Sequence, residues 1–327
     1  MPVSYKGFLK TLKTRSCKAF AYSIHSILFV CIGLSSHVIS ADPSDCNRAC
    51  LYQIADSYFD AMVNHDQQLA PLADQVKFSE NGVLLDVGDG LWNTINAVRG
   101  YDLKIADVKN GQVARIDVVE EHGHPAIIAA RFQVKNKQIT EIETVLSRKI
   151  DNSPFPVTEG YNTPHPIWSQ DIKPADRMTR DSLVNVADGY FETIQLNDGT
   201  LFTRFADDCD RVENGLLTTN TTIPNYEIAE MGCAEQFELG QYIYGDRLRD
   251  RRYPLIDEEK GVVLAAAFMD HSGKVYHFNW TDGTPKTSIF HYPHSFILIE
   301  LFKIEDQAIK RVEAVFSSMP YNTASVW

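Results

Sequence analysis

The nine residues LVNVADGYF at 183–191 repeat, nearly position by position, the residues LYQIADSYF at 51–59. A second match follows each of them. LADQVKFSENG at 72–82 and FADDCDRVENG at 205–215 share Ala-Asp, a five-residue interval and Glu-Asn-Gly, at an offset of 133. Self-similarity over this distance predicts that the chain contains two copies of one folding unit.

The ends of the two copies also correspond. ITEIETVLS at 139–147 parallels IKRVEAVFS at 309–317, but here the offset is 170, so the second copy contains about 37 additional residues. We predict a first repeat at 44–150 and a second repeat at 180–327, with the additional residues inserted at about 216–255.

A proline-rich segment at 151–179 lies between the two copies. Its first 27 residues contain five prolines and show neither a helical nor an alternating pattern, which is typical of a linker. Phe155, Tyr161, Ile167 and Trp168 give the segment apolar anchors, so we expect it to run across a surface.

Each copy changes its hydrophobic period once. Its first apolar residues recur at helical spacing, and in the first copy they are Leu51, Ile54, Ala55, Tyr58, Phe59 and Met62. A short second helix is predicted at about 67–74 and 199–206. The later segments are rich in β-branched and aromatic residues and are separated by turn residues, as in VARIDVVEE and AIIAARFQV. This order predicts an α+β fold of two tandem cone-shaped units, each a curved antiparallel sheet wrapped around N-terminal helices.

Residues 1–41 differ from the rest of the chain. They contain five basic and no acidic residues, then the apolar core ILFVCIGL at 27–34, then small residues at Ser40 and Ala41. This order predicts a signal peptide that is cleaved near Ala41, because the apolar core is too short to span a bilayer. We therefore expect a secreted or periplasmic protein with no membrane segment after cleavage.

The net charge argues against nucleic acid as a partner. The full chain carries −12, and loss of the five basic residues leaves 26 basic against 43 acidic side chains, or −17. Binding to a phosphate backbone requires the opposite charge. The overall composition, 44% hydrophobic and 23% charged, is that of a globular protein.

Four cysteines remain beyond the predicted cleavage site: Cys46, Cys50, Cys209 and Cys233. An even number in an oxidising compartment favours disulfides, and four cysteines allow three pairings. We favour Cys46–Cys50 and Cys209–Cys233, whose members are close in sequence. A zinc site is the alternative, but the CxxxC spacing has no matching second pair.

Other sequence motifs give weaker signals. The sequons Asn220-Thr-Thr and Asn279-Trp-Thr could carry glycans in a eukaryotic host. His122 and His124 could lie on one face of a strand and bind a metal with Glu120, but spacing alone places no ligand beyond the two histidines. A P-loop, a dinucleotide fingerprint and a serine nucleophile elbow are absent as motifs, so we predict neither a metal nor a cofactor.

The tyrosine-bearing first helix, the Ala-Asp segment with its following glutamate and the final I-x-x-[IV]-E pattern resemble the ketosteroid-isomerase and nuclear-transport-factor-two-like superfamily. The resemblance covers both repeats and implies a cone-shaped α+β fold with a deep apolar pocket. The arrangement also resembles secreted two-repeat proteins of bacteria and fungi known as a domain of unknown function, above all in RDRRYPLIDEEKGVVLAAAFMDH at 249–271.

The resemblance implies two catalytic positions. The carboxylate base of ketosteroid isomerases lies eight residues after the first apolar residue of the FADD-like segment, which corresponds to Glu213 and, in the first copy, to Glu80. The oxyanion-binding tyrosine corresponds to Tyr190 and Tyr58. Structural roles stay open, because Glu-Asn-Gly can form a turn and a tyrosine on the apolar stripe can be a core residue.

The second copy is predicted to be the active one, since it contains the insertion and more polar residues. Arg251 or Arg252 could hold a substrate carboxylate or enolate, or could pair with neighbouring acidic residues. Asn214 and His271 complete the predicted substrate-binding set, with His271 a candidate acid–base group.

Together these observations predict an exported, cofactor-free isomerase or lyase. It would perform acid–base chemistry on a small, largely apolar oxygenated molecule in the pocket of the second repeat. The alternative is a secreted protein without catalytic activity that binds a hydrophobic ligand or associates with itself. A homo-oligomer is compatible with both interpretations.

Overall fold

The computed structural model describes residues 46–150, 155–159 and 161–327. The predicted signal peptide at 1–41 lies outside these residues. Within the described ranges, no helix has both the length and the apolar character needed to cross a membrane.

The first repeat is a helix packed on a mixed seven-stranded sheet. Asn47 caps the helix by accepting a hydrogen bond from the Cys50 amide, and the predicted apolar stripe is buried against the sheet. The sheet order is β2-β1-β7-β6-β5-β3, with β4 also paired to β5, and only β1 and β7 run parallel. The elements are α1 (Arg48–Val63), β1 (Leu72–Glu80), β2 (Val83–Leu85), β3 (Ile95–Val98), β4 (Leu103–Asp107), β5 (Gln112–Glu121), β6 (His124–Lys135) and β7 (Gln138–Arg148).

The second repeat has the same plan. Its six-stranded sheet has the order β10-β11-β14-β15-β8-β9, and again only the first long strand and the last strand, β8 and β15, run parallel. The strands β12 and β13 form a separate hairpin. The elements are α2 (Arg180–Leu196), β8 (Arg204–Glu213), β9 (Leu216–Leu217), α3 (Cys233–Glu238), β10 (Arg247–Asp257), β11 (Val262–His271), β12 (His277–Asn279), β13 (Pro285–Thr287), β14 (His294–Glu305) and β15 (Ala308–Met319).

The predicted short second helices are wrong. In the first repeat the segment between α1 and β1 contains a 3-10 turn, Gln67–Leu69, and β1 begins at Leu72. In the second repeat β8 already begins at Arg204. The reason is a long-range interaction: the Ala-Asp segments pair in parallel with the last strand of their own repeat, as in Leu72 opposite Ile139. Pairing with a distant strand outweighs local helix propensity.

Comparison of the strand registers shows that the additional residues of the second repeat lie in two separate segments. The offset between equivalent positions is 133 in β1 and β8, 150 in β5 and β11, and 170 in β6 and β14. About 17 residues therefore precede β11, within the predicted 216–255. The other 20 lie beyond that range, in the β12–β13 hairpin, where the first repeat has only the turn His122-Gly123.

The two sheets pack face to face, and each helix lies on the outer face of its own sheet. Apolar side chains of both sheets form one buried layer between them, including Ile116 and Ile127 from the first and Leu264 and Ile299 from the second. Two further clusters lie between each helix and its sheet. Burial of three apolar layers is the main stabilising contribution to such an architecture.

Two equivalent ion pairs join the repeats. Arg48 at the start of α1 binds Asp257 at the end of β10, and Arg180 at the start of α2 binds Asp107 at the end of β4, each with a shortest N–O distance of 2.5 Å. Both aspartates are nearly inaccessible to solvent. The repeats therefore contact each other through the same positions on both sides, as subunits of a two-fold dimer do.

The linker packs against the second sheet through its aromatic anchors. The Trp168 indole donates a hydrogen bond of 3.0 Å to the buried Glu313 carboxyl, and the hydroxyls of Tyr161 and Tyr101 also donate to it. Burial is the largest cause that raises the pKa of Glu313. The predicted disulfides Cys46–Cys50 and Cys209–Cys233 are both present.

Candidate functional site

The two repeat interiors, which we define as the space between the first helix and its own sheet, share a tyrosine and a glutamate. Tyr58 and Tyr190 are both buried on the inner face of the helix. Glu80 and Glu213 both end the strand that pairs with the last strand of the repeat. Both interiors therefore have a tyrosine and a glutamate at equivalent positions.

Two other inner positions differ between the repeats. The residue two before the glutamate is Phe78 in the first repeat and Arg211 in the second, and both are 2% exposed. Strand register also makes Ala130 equivalent to Glu300, because they face Thr144 and Ala314, which correspond at an offset of 170. At these two positions the second repeat has ionisable side chains where the first has apolar ones.

On β5 and β11 the difference is reversed: the buried, ion-paired Arg115 and Asp117 of the first repeat correspond to Ala265 and Ala267 of the second.

The sheet of the second repeat sets the geometry of these groups. Arg211 and Glu213 are two residues apart on β8, so their side chains share a face. Glu213 faces Ala314 on β15, and Ala314 in turn faces Glu300 on β14, so the three residues form one row across the sheet. The small Ala314 side chain separates the two carboxyl groups, whose strands are roughly 10 Å apart.

Arg211 is the charged centre of the cluster. It pairs with Glu213 and donates a 3.0 Å hydrogen bond to the Gln236 side chain. Its guanidinium also lies 4.8 Å from the ring centre of Phe237 and 5.0 Å from that of Tyr242. Burial disfavours its charge, but the surrounding tyrosines and Glu213 raise the pKa of Arg211 well above its ordinary value, so it stays protonated.

Glu300 is a buried carboxylic acid. Burial is the main cause that raises its pKa from 4.5 to about 8. The charge of Glu213 adds to this increase, whereas the charge of Arg211 and a hydrogen bond with the Tyr190 hydroxyl oppose it. Burial also raises the pKa of Tyr190 well above 10, against the opposing charge of Arg211. Near neutral pH both side chains are therefore hydrogen-bond donors held side by side in an apolar interior.

Helix α3 covers the cluster. Gln236 accepts hydrogen bonds from Arg211 and Tyr242 and donates to the main-chain oxygens of Thr218 and Ile228. The Cys209–Cys233 disulfide attaches the start of α3 to β8. Glu213, with 19% of its side chain exposed, is the most accessible charged member of the cluster.

The first repeat uses the shared residues differently. The Trp92 indole donates a 2.9 Å hydrogen bond to the Tyr58 hydroxyl, and the Leu91 amide donates a 2.8 Å hydrogen bond to the Glu80 carboxylate. A Cβ at Gly90 would lie 2.7 Å from the same carboxylate, so the chain approaches Glu80 closely there. Tyr58 and Glu80 thus support the 3-10 helix Gly90–Asn93, which fills this interior.

Asn214 and His271 lie apart from the cluster. Asn214 has a φ of 44°, and its side chain makes both hydrogen bonds to the main chain of Phe316, which fixes the turn after β8. His271 is 1% exposed and stacks on His294 at a ring distance of 4.7 Å. Burial lowers the pKa of His271 to about 3, so it is neutral over the physiological range.

Arg251 and Arg252 are not brought to the cluster either. Arg251 binds Glu192 at 2.6 Å and Asp188 at 3.2 Å, both on α2. Arg252 crosses to the first repeat and binds the buried Glu143 at 2.5 Å. Their geometry corresponds to the ion-pair alternative, although the partners are distant in sequence.

Sequence reasoning missed Arg211, Glu300, Gln236 and Tyr242. The first two could have been found by comparing the copies position by position, since Phe78 against Arg211 is visible in the aligned Ala-Asp segments. Gln236 and Tyr242 lie in the additional residues, which have no counterpart in the first copy. Within the described residues, no group of three or more His, Cys, Asp or Glu side chains is arranged to hold a metal ion.

The fold defines a tandem of two equivalent α+β units, each a helix packed on a mixed sheet. The family model described as "Domain of unknown function (DUF8021)" matches residues 44–146 and 176–316, so the chain belongs to this family. Both matched segments coincide with the repeats.

Similar solved structures are short chains that cover about one repeat. A Kribbella flavida protein assigned by inference to the ketosteroid isomerases has 13% identity and a TM-score of 0.25, over 34% of this chain and 86% of its own. An NTF-2 like protein of unknown function from Burkholderia xenovorans has 9% and 0.24, over 33% and 90%. An NTF2-like protein from Cytophaga hutchinsonii has 14% and 0.26, over 42% and 98%. No curated protein matches the chain.

Proposed function

We propose that this protein is an exported acid–base enzyme of the isomerase or lyase type. Its site is the interior of the second repeat, and its substrate is a small, largely apolar molecule with a carbonyl group. It uses side chains alone for proton transfer.

The observation that carries the proposal is the replacement of Phe78 and Ala130 by Arg211 and Glu300. Burying two ionisable groups costs free energy that apolar side chains at the same positions would not. The first repeat demonstrates that the fold is compatible with apolar residues there. At these two positions only the second interior bears that cost, and this supports a function located there.

The proposed base is Glu213. Its carboxylate is at the accessible side of the cluster, where it can take a proton from a carbon next to the substrate carbonyl. The carbonyl oxygen then gains negative charge. The Tyr190 hydroxyl and the protonated Glu300 would both donate hydrogen bonds to that oxygen.

Arg211 balances the negative charge in the site both before and after this step. Before proton transfer it is balanced by the Glu213 carboxylate, and afterwards by the enolate of the substrate. A buried cation fixed by Gln236 and two aromatic rings needs no rearrangement to do so. Return of the proton to another carbon gives an isomerase, and loss of a leaving group gives a lyase.

The predicted signal peptide and the two disulfides support export to an oxidising compartment. This part of the proposal is independent of the reaction.

The test measures proton abstraction without knowledge of the product. The protein, produced with its disulfides formed, is incubated in D₂O with a panel of small cyclic ketones and β,γ-unsaturated ketones, and deuterium incorporation next to the carbonyl is followed by NMR. We expect exchange above the buffer rate that falls by about 10²–10⁴ in Glu213→Gln. Glu80→Gln, the matched change in the first repeat, should leave the rate unchanged. Equal rates in wild type and Glu213→Gln would refute the assignment, and a panel that binds without any exchange would favour a ligand-binding protein.

A further inference from the structure

We infer that Asn279, and not Asn220, is the asparagine of this chain that carries an N-linked oligosaccharide when the protein is exported by a eukaryotic cell. Both residues begin an Asn-x-Thr sequon. The structure distinguishes them by what each side-chain amide contacts.

Asn279 offers its amide to solvent. It ends β12 in the β12–β13 hairpin, and its side chain is exposed. Among the described residues its side chain makes no hydrogen bond. The next residue, Trp280, points the other way: it is 8% exposed and donates a 2.7 Å hydrogen bond to Gln241. This alternation directs Asn279 outward, so a bulky substituent there would extend into water.

Asn220 is also exposed, but hydrogen bonds within the fold already occupy its side-chain amide. Its Nδ2 donates two hydrogen bonds of 2.9 Å, one to the Cys209 carbonyl and one to the Asp210 carboxylate. Its backbone has a φ of 50° and is held by a hydrogen bond to Met231. A sugar on Nδ2 replaces one of its two hydrogens, so one of these bonds must be lost and the sugar must lie against β8. Modification at this position is therefore incompatible with the full set of observed loop contacts.

The chemistry is a group transfer from a lipid-linked oligosaccharyl diphosphate in the secretory membrane of the host. The bond between sugar C1 and the diphosphate oxygen breaks, and a bond between C1 and Nδ2 of Asn279 forms. The amide proton leaves, and the lipid diphosphate is the leaving group. The step involves no oxidation or reduction.

The third sequon residue sets when this can happen. In the folded protein the Thr281 hydroxyl donates a 2.8 Å hydrogen bond to the Glu238 carbonyl at the end of α3. The hydroxyl is therefore free for recognition only before the hairpin docks on α3. Modification of the newly made chain, followed by folding with the sugar outside, is compatible with every contact of Asn279.

The experiment uses the full chain secreted from yeast cells. Peptide N-glycosidase converts each glycosylated asparagine to aspartate, and peptide mass spectrometry then locates the 1 Da mark. We expect the mark at residue 279 and not at residue 220. Asn279→Gln should abolish the sugar, while Asn220→Gln and the conservative Thr281→Ser should retain it.

Each outcome decides the inference. A sugar at Asn220 in the secreted protein, a sugar that persists in Asn279→Gln, or a secreted wild-type protein without sugar would overturn it. Because the Asn279 side chain has no partner among the described residues, Asn279→Gln should have the circular dichroism spectrum of the wild type.

Discussion

Replacing Glu300 by Gln should stabilise the protein, and more so as the pH rises. The wild-type carboxyl binds its proton more tightly when folded, because burial raises its pKa from 4.5 in the unfolded chain to about 8. Between these values the folded state holds a proton that the unfolded state has lost, so wild-type stability falls with increasing pH. The amide that replaces the carboxyl in Glu300→Gln does not titrate, so the variant lacks this loss.

The magnitude follows from the pH interval. Each pH unit between the two pKa values changes the free energy of unfolding by about 1.4 kcal/mol. From pH 5 to pH 8 the advantage of Glu300→Gln over wild type should therefore grow by about 4 kcal/mol. That is a large part of the total stability of a typical domain, about 5–15 kcal/mol.

Urea denaturation at pH 5, 6.5 and 8 measures this difference. Glu300→Ala introduces the residue of the first repeat and serves as the matched control: it packs differently but should lose the same pH dependence. His271, whose pKa burial lowers to about 3, makes every variant more stable as the pH rises toward 6.5, and this common effect cancels in the differences. A wild-type-to-variant difference that stays constant from pH 5 to pH 8 would refute the reasoning, and Glu300 could not then donate to an oxyanion.

Three further expectations concern separate parts of the molecule. Tyr190→Phe should lower the ketone exchange rate by about 10²–10³, whereas Tyr58→Phe should leave the rate intact and cost about 1–3 kcal/mol of stability; equal rate losses would contradict the assignment of the site. Serine at both Cys209 and Cys233 should lower the free energy of unfolding by about 3 kcal/mol, since the disulfide closes a loop with a sequence separation of 24; unchanged denaturation would exclude that disulfide. Asp107→Asn should cost about 3–5 kcal/mol because the arginine of α2 loses its buried partner, and thermal denaturation that shifts by less than about 2 °C would contradict this contribution.

Much of the fold could be predicted from the sequence because the repeat supplies an internal comparison. The helix around Tyr190, the later strands β11, β14 and β15 and the turn at Asn214-Gly215 each follow from a local pattern. The strand at 204–213 could not be predicted locally, because its parallel partner β15 begins about 100 residues later. Nor could the sequence indicate that the two sheets would pack on each other.

The site was predictable only in part. Glu213 and Tyr190 are marked by a family resemblance and by their recurrence in both copies. Arg251 and Arg252 stand out as a charge run, but composition does not reveal which side of an irregular strand a residue occupies, and β10 has register shifts on both sides of Arg252. Glu300 lies in the middle of the largely apolar strand SFILIELFKIE, where an acidic residue gives little signal without the register of its neighbours.

The equivalent ion pairs Arg48–Asp257 and Arg180–Asp107 form a two-fold interface between repeats that can acquire substitutions independently. When two identical subunits form such an interface, every substitution appears on both sides, and dilution separates the partners. Here a linker keeps each half beside its partner at a fixed effective concentration, so the melting temperature should not depend on protein concentration. Each half can also be altered alone. Each interior can therefore acquire its own buried charged groups, such as Arg211 and Glu300 in the second, while the other half continues to support the shared architecture.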